Sequence, residues 1–259
     1  MNALETAITD AFDRIVPISP GDAVSISDAD LEAMYDGKFG VKPDLGWTPK
    51  LCKSLNYYSP DIYYETMVAR LVGEGCSWLD VGCGRNIFPH NRDLAGYLSR
   101  RAGLLFGIDP DENINDNDFV NESFQGMVED CKTEHKFDLA TLRMVAEHIE
   151  HPLDSLQSIS RMMKPGGLIV IYTPSKWAPM SVLARLTPIR VHHYFKRLLW
   201  NTDERDTFPV QYKMNTSKSL RRLFSNLGFE EEYFDYLDDC RTFIENRLLL
   251  RGEISVRNS

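Results

Sequence analysis

Trp78-Leu79-Asp80-Val81-Gly82-Cys83-Gly84-Arg85-Asn86 is the stretch on which the reading of this chain turns. A short apolar run carrying one carboxylate, Asp80, leads directly into a Gly-x-Gly turn. Gly82 and Gly84 have no side chains, so backbone and ligand can approach closely there, and the chain can take angles closed to other residues. A strand followed by such a turn reads as a nucleoside-cofactor site. A lone Gly-x-Gly is equally consistent with a plain tight turn, so a companion signal has to discriminate.

The companion is the next apolar run, Leu105-Phe106-Gly107-Ile108-Asp109-Pro110, which ends in a single carboxylate. In an open parallel sheet the carboxyl ends of neighbouring strands face one crevice, which would set Asp109 beside the glycine turn. There it could accept hydrogen bonds from both hydroxyls of a ribose. A charge-assisted bond of this kind contributes roughly 1.5–3 kcal/mol, enough to orient a nucleoside. Two nucleotide classes lose support on spacing. A dinucleotide fingerprint wants a third glycine at position 87, which is Ile87, and no GxxxxGK[ST] loop for ATP or GTP is present.

Working outward, Leu4, Ala7, Ile8, Ala11, Phe12 and Ile15 recur at helical spacing over residues 3 to 16, with Pro17 as the stop. Residues 18 to 60 are rich in Gly, Pro, Asp and aromatics and read as irregular structure wrapped on something else. A helix follows Ser59-Pro60 to about Leu71, and further apolar runs at 104 to 108, 137 to 142 and 168 to 172 alternate with helical segments, including 152 to 163 before Lys164-Pro165-Gly166-Gly167. That alternation predicts an α/β fold with a doubly wound, mostly parallel sheet. The rhythm breaks between Thr173 and Gly228 into two or three helical pieces, which read as an insertion over a sheet edge. Phe229 to Leu237 reads as one more strand, and residues 247 to 257 as a strand in preference to a helix. The expected division is a cap over 1–63 and a main domain over 64–259 that carries the 173–228 insertion as a second cap.

The composition is that of a globular domain: 259 residues, 43% hydrophobic and 26% charged, which argues against fibrous and disordered classes. The net charge of -9 argues against a uniformly nucleic-acid-coating surface. Five Cys with no CxxC spacing suggest neither a disulfide framework nor a zinc clip, and no metal ligand set is expected. The N-terminal stretch lacks a signal-peptide core and no apolar run reaches the ~20 residues of a membrane span, so a soluble, cytoplasmic protein is expected.

Taken together, these residues resemble the class I S-adenosylmethionine-dependent methyltransferases. LDVGCG is similar to their first motif, GIDP to their second, FDLATLRMVAEHIEHP to their fourth-strand segment and MMKPGGLIVIYTP to the stretch through their fifth strand, in family order from about 76 to 174. A looser likeness to bacterial members extends to YYSPD before the first motif and to Phe208-Pro209 through Asn215-Thr216. The resemblance implies a Rossmann-like methyltransferase fold, seven-stranded with an antiparallel last strand, and S-adenosyl-L-methionine as cofactor. It implies that Asp80, Gly82, Cys83 and Gly84 line the methionine half, that Asp109 with Pro110 holds the ribose, that Met127, Val128 and Glu129 flank the adenine, and that Arg143 lies near the amino-acid end. The family often has Gly where Asn86 stands and Asp where Met127 stands; Glu129 is the candidate replacement for the latter.

A sulfonium methyl is already activated, so such an enzyme chiefly aligns a nucleophile with it. A base adds typically 10²–10⁴-fold where the nucleophile carries a proton. His148, after the fourth strand, is the first candidate base and His193 the second, with His192 beside it; a helix-packing or solvated histidine would read the same way. Tyr57, Tyr58, Tyr63 and Tyr64 could close over the cofactor or simply pack a core.

Residues 176 to 222 hold ten Lys+Arg and three Asp+Glu, a formal +7 that leaves -16 for the rest. The segment suits a cap over an anionic small molecule, metabolite, glycan or lipid precursor. Residues 185–200 could also rest on acidic lipid, and the charges could instead be balanced within the protein. The expected function is methyl transfer to O, N or C of such an acceptor, with an RNA or protein methyltransferase and a non-catalytic nucleotide-binding module as the competing classes.

Overall fold

The computed structural model describes residues 3–19, 21–40, 46–176, 210–240 and 246–257. Five strands form one parallel sheet: β1 (Ser77–Val81), β2 (Leu104–Asp109), β3 (Glu122–Gln125), β4 (Phe137–Arg143) and β5 (Met163–Tyr172). Their order across the sheet is β3-β2-β1-β4-β5, so the chain winds outward from β1 to one edge and returns to lay β4 on its other side. The order reverses at β1, where the two halves part at the carboxyl edge and leave a crevice.

Alternation along the strands sorts the side chains onto two faces. Trp78, Leu105 and Leu139 pack into one core with helices α1 (Ala3–Asp13), α2 (Asp28–Tyr35), α4 (Pro60–Leu71) and α5 (Arg92–Arg101). Leu79, Val81, Phe106, Ala140 and Leu142 pack into the other with α6 (Pro152–Met162) and α7 (Ser217–Ser225). Both faces are covered, which is why the inner strands read as near-continuous apolar runs. Two steps from Trp78, Asp80 falls on the face covered by α4, and its sheet partner there is Thr141.

The wrap on that face is more regular than residues 18 to 60 suggested. Ser27 and Asp30 form a reciprocal capping box that starts α2. A π-helical turn, Asp36–Gly40, follows, and α3 (Trp47–Ser54) comes next. The wrap is held by a buried ion pair: Lys38 Nζ lies 2.7 Å from Glu65 Oε1 of α4, with the two side chains 7% and 4% exposed. Asn91 donates to the other Glu65 oxygen at 2.9 Å while its own oxygen caps α5 at Leu94 N–H.

Two expectations are corrected. Residues 229–240 are irregular, with Glu230 to Tyr236 exposed, and among the described residues Phe229 to Leu237 pair with no strand. Residues 247 to 257 form helix α8 (Arg247–Arg257), because Asn246 Oδ1 takes the Leu248 and Leu249 N–H groups at 3.1 Å. That places Leu250 and Ile254, one turn apart, in a satellite core with Leu51 and Tyr57. Five strands are described, and β3, exposed and polar at the sheet edge, was not legible as a strand. His192, His193, Arg190 and the 185–200 segment lie outside the described residues.

Candidate active site

The site is built around the reversal at β1. Gly82 N–H donates to Ile108 O of β2 at 2.7 Å, which folds the turn back over the neighbouring strand end. The bend puts Gly82 at φ +76, and a Cβ there would stand 2.1 Å from Val145 Cγ2, so no larger residue fits. Gly84 N–H then donates to Asp109 Oδ2 at 2.8 Å, and Asp111 N–H to Oδ1 at 2.8 Å. Asp109 thus clamps the glycine turn from the end of β2. Asn117 holds the outer side through its Nδ2, 2.9 Å from Gly84 O. Sequence reasoning missed Asn117; its signal was an amide in an acidic loop otherwise poor in apolar residues.

A cleft of about 390 Å³ opens beside this turn, within the range of small-molecule sites. Asp80, Gly82, Cys83, Gly84, Arg85 and Arg143 are among the residues that line it. Asp80 is 3% exposed and accepts from Thr141 Oγ1 at 2.5 Å, and Trp78 Nε1 in turn donates to Thr141 at 2.7 Å. Burial pushes the Asp80 carboxyl up from its ordinary 3.8 to about 7, with the Thr141 bond and the Arg143 charge pulling it part of the way back. A group whose folded-state pKa is raised stabilises the fold below its unfolded value, and that contribution is lost as pH rises through the folded one. At 1.36 kcal/mol per unit, the wild type is expected to lose about 3 kcal/mol relative to Asp80→Asn between about pH 5 and pH 8, read by urea unfolding. Parallel pH profiles for the two proteins would contradict the raised carboxyl.

Arg143 ends β4 and donates to Asp61 of α4 at 2.9 Å, with its guanidinium 6.0 Å from the Tyr172 ring centroid. One turn along α4, Tyr64 stacks on Tyr172 at 5.2 Å between centroids. Burial of its hydroxyl raises the Tyr64 pKa, the Asp80 charge adds to the rise, and the Arg143 charge opposes it. Asp61 was given no role by the sequence, whereas Tyr64 was among the tyrosines expected to close over the cofactor or pack a core. Their signal was a helix with Asp61, Tyr64 and Glu65 on one side, too polar for a plain core face.

The remaining sequence candidates separate. Cys83 contributes backbone, because its thiol points at β2, where a Cβ on Gly107 would meet Sγ at 2.7 Å. Pro110 is exposed at the rim. Met127 is 53% exposed, whereas Val128 is 6% exposed and packs into the core against α6 and α7. Glu129 accepts from Ser155 Oγ of α6, while its Oε2 is buried with no partner among the described residues. His148 lies beyond β4 with Nε2 4.0 Å from Glu147 Oε1, and its side chain is 28% exposed. No group of three or more His, Cys, Asp or Glu able to hold a metal is found among the described residues.

S-adenosylmethionine carries a diol, an ammonium and a carboxylate. The donor set here offers a buried carboxylate (Asp80) and a guanidinium (Arg143) lining one cleft, with a second carboxylate (Asp109) bonded to the Gly84 turn in its wall, so the residues fit that cofactor.

Comparison with known proteins gives a family model described as "Methyltransferase domain" that matches residues 49–232. The mitochondrial ubiquinone biosynthesis O-methyltransferase of Schizosaccharomyces pombe is 27% identical over 161 residues, covering 58% of this chain and 55% of that protein. The ubiquinone biosynthesis O-methyltransferase of Xanthomonas oryzae pv. oryzae (strain PXO99A) is 30% identical over 162 residues, covering 55% of this chain and 64% of that protein. This chain thus spans between half and two thirds of the length of these relatives. Among solved structures, the Haloferax volcanii protein in complex with the Trm112 methyltransferase activator is 18% identical, with a TM-score of 0.47 over 74% of this chain and 77% of that one.

Proposed function

Because the chain belongs to the S-adenosylmethionine-dependent methyltransferases, with the domain matched over residues 49–232, we propose that it transfers the cofactor's methyl group to an oxygen of a small-molecule acceptor. The observation that carries this reading is the Asp109 clamp on the Gly84 turn beside the buried Asp80. Oxygen as the acceptor atom is favoured by relatives that are named O-methyltransferases. An anionic acceptor is favoured by the +7 charge of residues 176 to 222, which with residues 1–63 would form the acceptor side of the site.

The bound cofactor supplies an activated sulfonium methyl. Asp109 would accept hydrogen bonds from the ribose hydroxyls, Asp80 in its ionised form would pair with the ammonium, and Arg143 would hold the carboxylate. Tyr64 and Tyr172 exclude water from that end of the cleft, which strengthens each of these charge interactions. His148 takes the proton of the acceptor hydroxyl as the new bond forms. All five cysteines are free thiols, as suits a reducing compartment such as the cytoplasm, and among the described residues no helix is long and apolar enough to cross a membrane.

Calorimetry with S-adenosylmethionine and S-adenosylhomocysteine is expected to show binding, with methyl transfer to members of a panel of small phenols and alcohols. His148→Ala is expected to lower turnover by roughly 10²-fold or more with unchanged cofactor affinity. Wild-type protein that binds neither compound at millimolar concentration would sink the reading.

A further inference from the structure

A second polar cluster sits at the carboxyl edge of the sheet, past β4 and β5, and no cofactor role uses it. Glu147 is 3% exposed, and its Oε2 accepts from Thr173 Oγ1 at 2.8 Å. Thr173 in turn accepts from Asn215 Nδ2 at 2.6 Å, and the same amide nitrogen donates to Pro174 O at 3.0 Å. A prolyl carbonyl only accepts, so the nitrogen must face it and the amide cannot be turned over. Asn215 Oδ1 is thereby fixed in the opposite direction. It is buried, in a residue 3% exposed, and has no partner among the described residues. An orphaned buried acceptor is costly, and native proteins keep few of them.

The backbone around this cluster is strained. Met144 and Tyr212 both lie in the left-handed region, at φ +55 and +51, where side chains larger than glycine are disfavoured. Both chains are held against the cluster: Met144 N–H donates to Tyr172 O at 2.7 Å, and Gln211 and Tyr212 N–H donate to Glu147 O at 2.6 and 3.1 Å. Ligands of open parallel sheets bind outside the carboxyl ends of the strands, which is where these segments meet, with His148 next in the chain to Glu147.

We propose that Asn215 Oδ1 is the hydrogen-bond acceptor for the hydroxyl that is methylated, in a subsite formed with Glu147, Thr173 and His148 that selects proton-donating oxygen nucleophiles. The inference rests on the methyltransferase reading above and adds the chemical class of the acceptor. With its O–H held by Asn215, the acceptor oxygen directs a lone pair at the methyl carbon. As the new O–C bond forms and the C–S pair returns to sulfur, leaving a neutral thioether, the hydroxyl turns its one proton away from Asn215 Oδ1 to His148, which takes it. Asn215 takes no proton. Glu147 positions the subsite through Thr173.

The test compares a phenol with the thiophenol of the same substitution, since S–H is a weak donor and has little to gain from Oδ1. Asn215→Leu is expected to lower kcat/KM for the phenol about 10- to 100-fold, to change that for the thiophenol less than about 3-fold, and to leave S-adenosylhomocysteine affinity unchanged. Asn215→Ala replaces it if the leucine variant does not fold. Equal losses for the two acceptors would mark Asn215 as purely structural and overturn the proposal, as would a phenol rate that does not fall. It is equally overturned if the wild-type S-adenosylhomocysteine complex binds no member of a phenol panel by calorimetry. Absence of cofactor binding would instead defeat the methyltransferase reading itself.

Discussion

Asp109→Ala is expected to weaken S-adenosylmethionine binding by more than 100-fold, to the limit of calorimetric detection. The carboxylate has two duties that an alanine drops together. It is the ribose partner in the proposed function, and it already accepts the Gly84 and Asp111 N–H groups at 2.8 Å each. Charge-assisted bonds contribute roughly 1.5–3 kcal/mol apiece, so losing even two of the interactions removes about 3 kcal/mol or more, which is over two decades in affinity. Asp109→Asn separates the duties: an amide keeps one acceptor for the turn but sets its NH₂ against the other N–H. It should bind more weakly than the wild type and more tightly than the alanine variant. Affinity within about threefold of wild type for Asp109→Ala would remove the residue from the cofactor site.

Lys38→Met is expected to cost about 3–5 kcal/mol of stability in urea unfolding, because it strands a carboxylate in the core. Glu65 is 3% exposed, and after the loss of Lys38 its remaining hydrogen-bond partner among the described residues is the Asn91 amide. Replacing both partners, Lys38→Met with Glu65→Leu, removes the stranded charge and is expected to recover most of the loss, as buried ion pairs are often no more stabilising than apolar residues of similar volume. The double-mutant cycle isolates this coupling from the packing of each side chain. A single-variant cost below about 1 kcal/mol would mean that the pair does not hold the wrap on α4.

The parallel sheet and its reversal at β1 were legible because both rest on local signals. Buried strands are written as short apolar runs, and the Gly82-Cys83-Gly84 turn and Asp109 each end one of them. What was not legible depends on partners far along the chain. Nothing around Lys38 announces that its ammonium will be buried, since the cause is Glu65, 27 residues on. Residues 229–237 are rich in aromatics and read as a strand, yet a strand exists only where a neighbour pairs with it, and among the described residues none does. Residues 247–257 carry Ile254 and Val256, which favoured strand, but an Asn246 cap and the Leu51–Tyr57 surface decided for helix. In the site, Asp80 and Asp109 could be placed by strand register, whereas Asp61, Tyr64 and Asn215 arrive from segments whose positions only tertiary packing sets.

The wrap also dictates an order of events during synthesis. Phe12 meets Tyr97 at 5.4 Å between ring centroids and Tyr97 donates to Asp13 at 2.5 Å, whereas α1 also packs on the turn at 36–40 and on α2, so its seat forms in two stages and the α5 part comes last. At typical elongation rates of about 5–20 residues per second, the ~80 residues between them leave α1 without its α5 contact for roughly 4–16 seconds. During that interval the Tyr97 side of Phe12 is open to chaperones and proteases, and it stays open until α5 arrives.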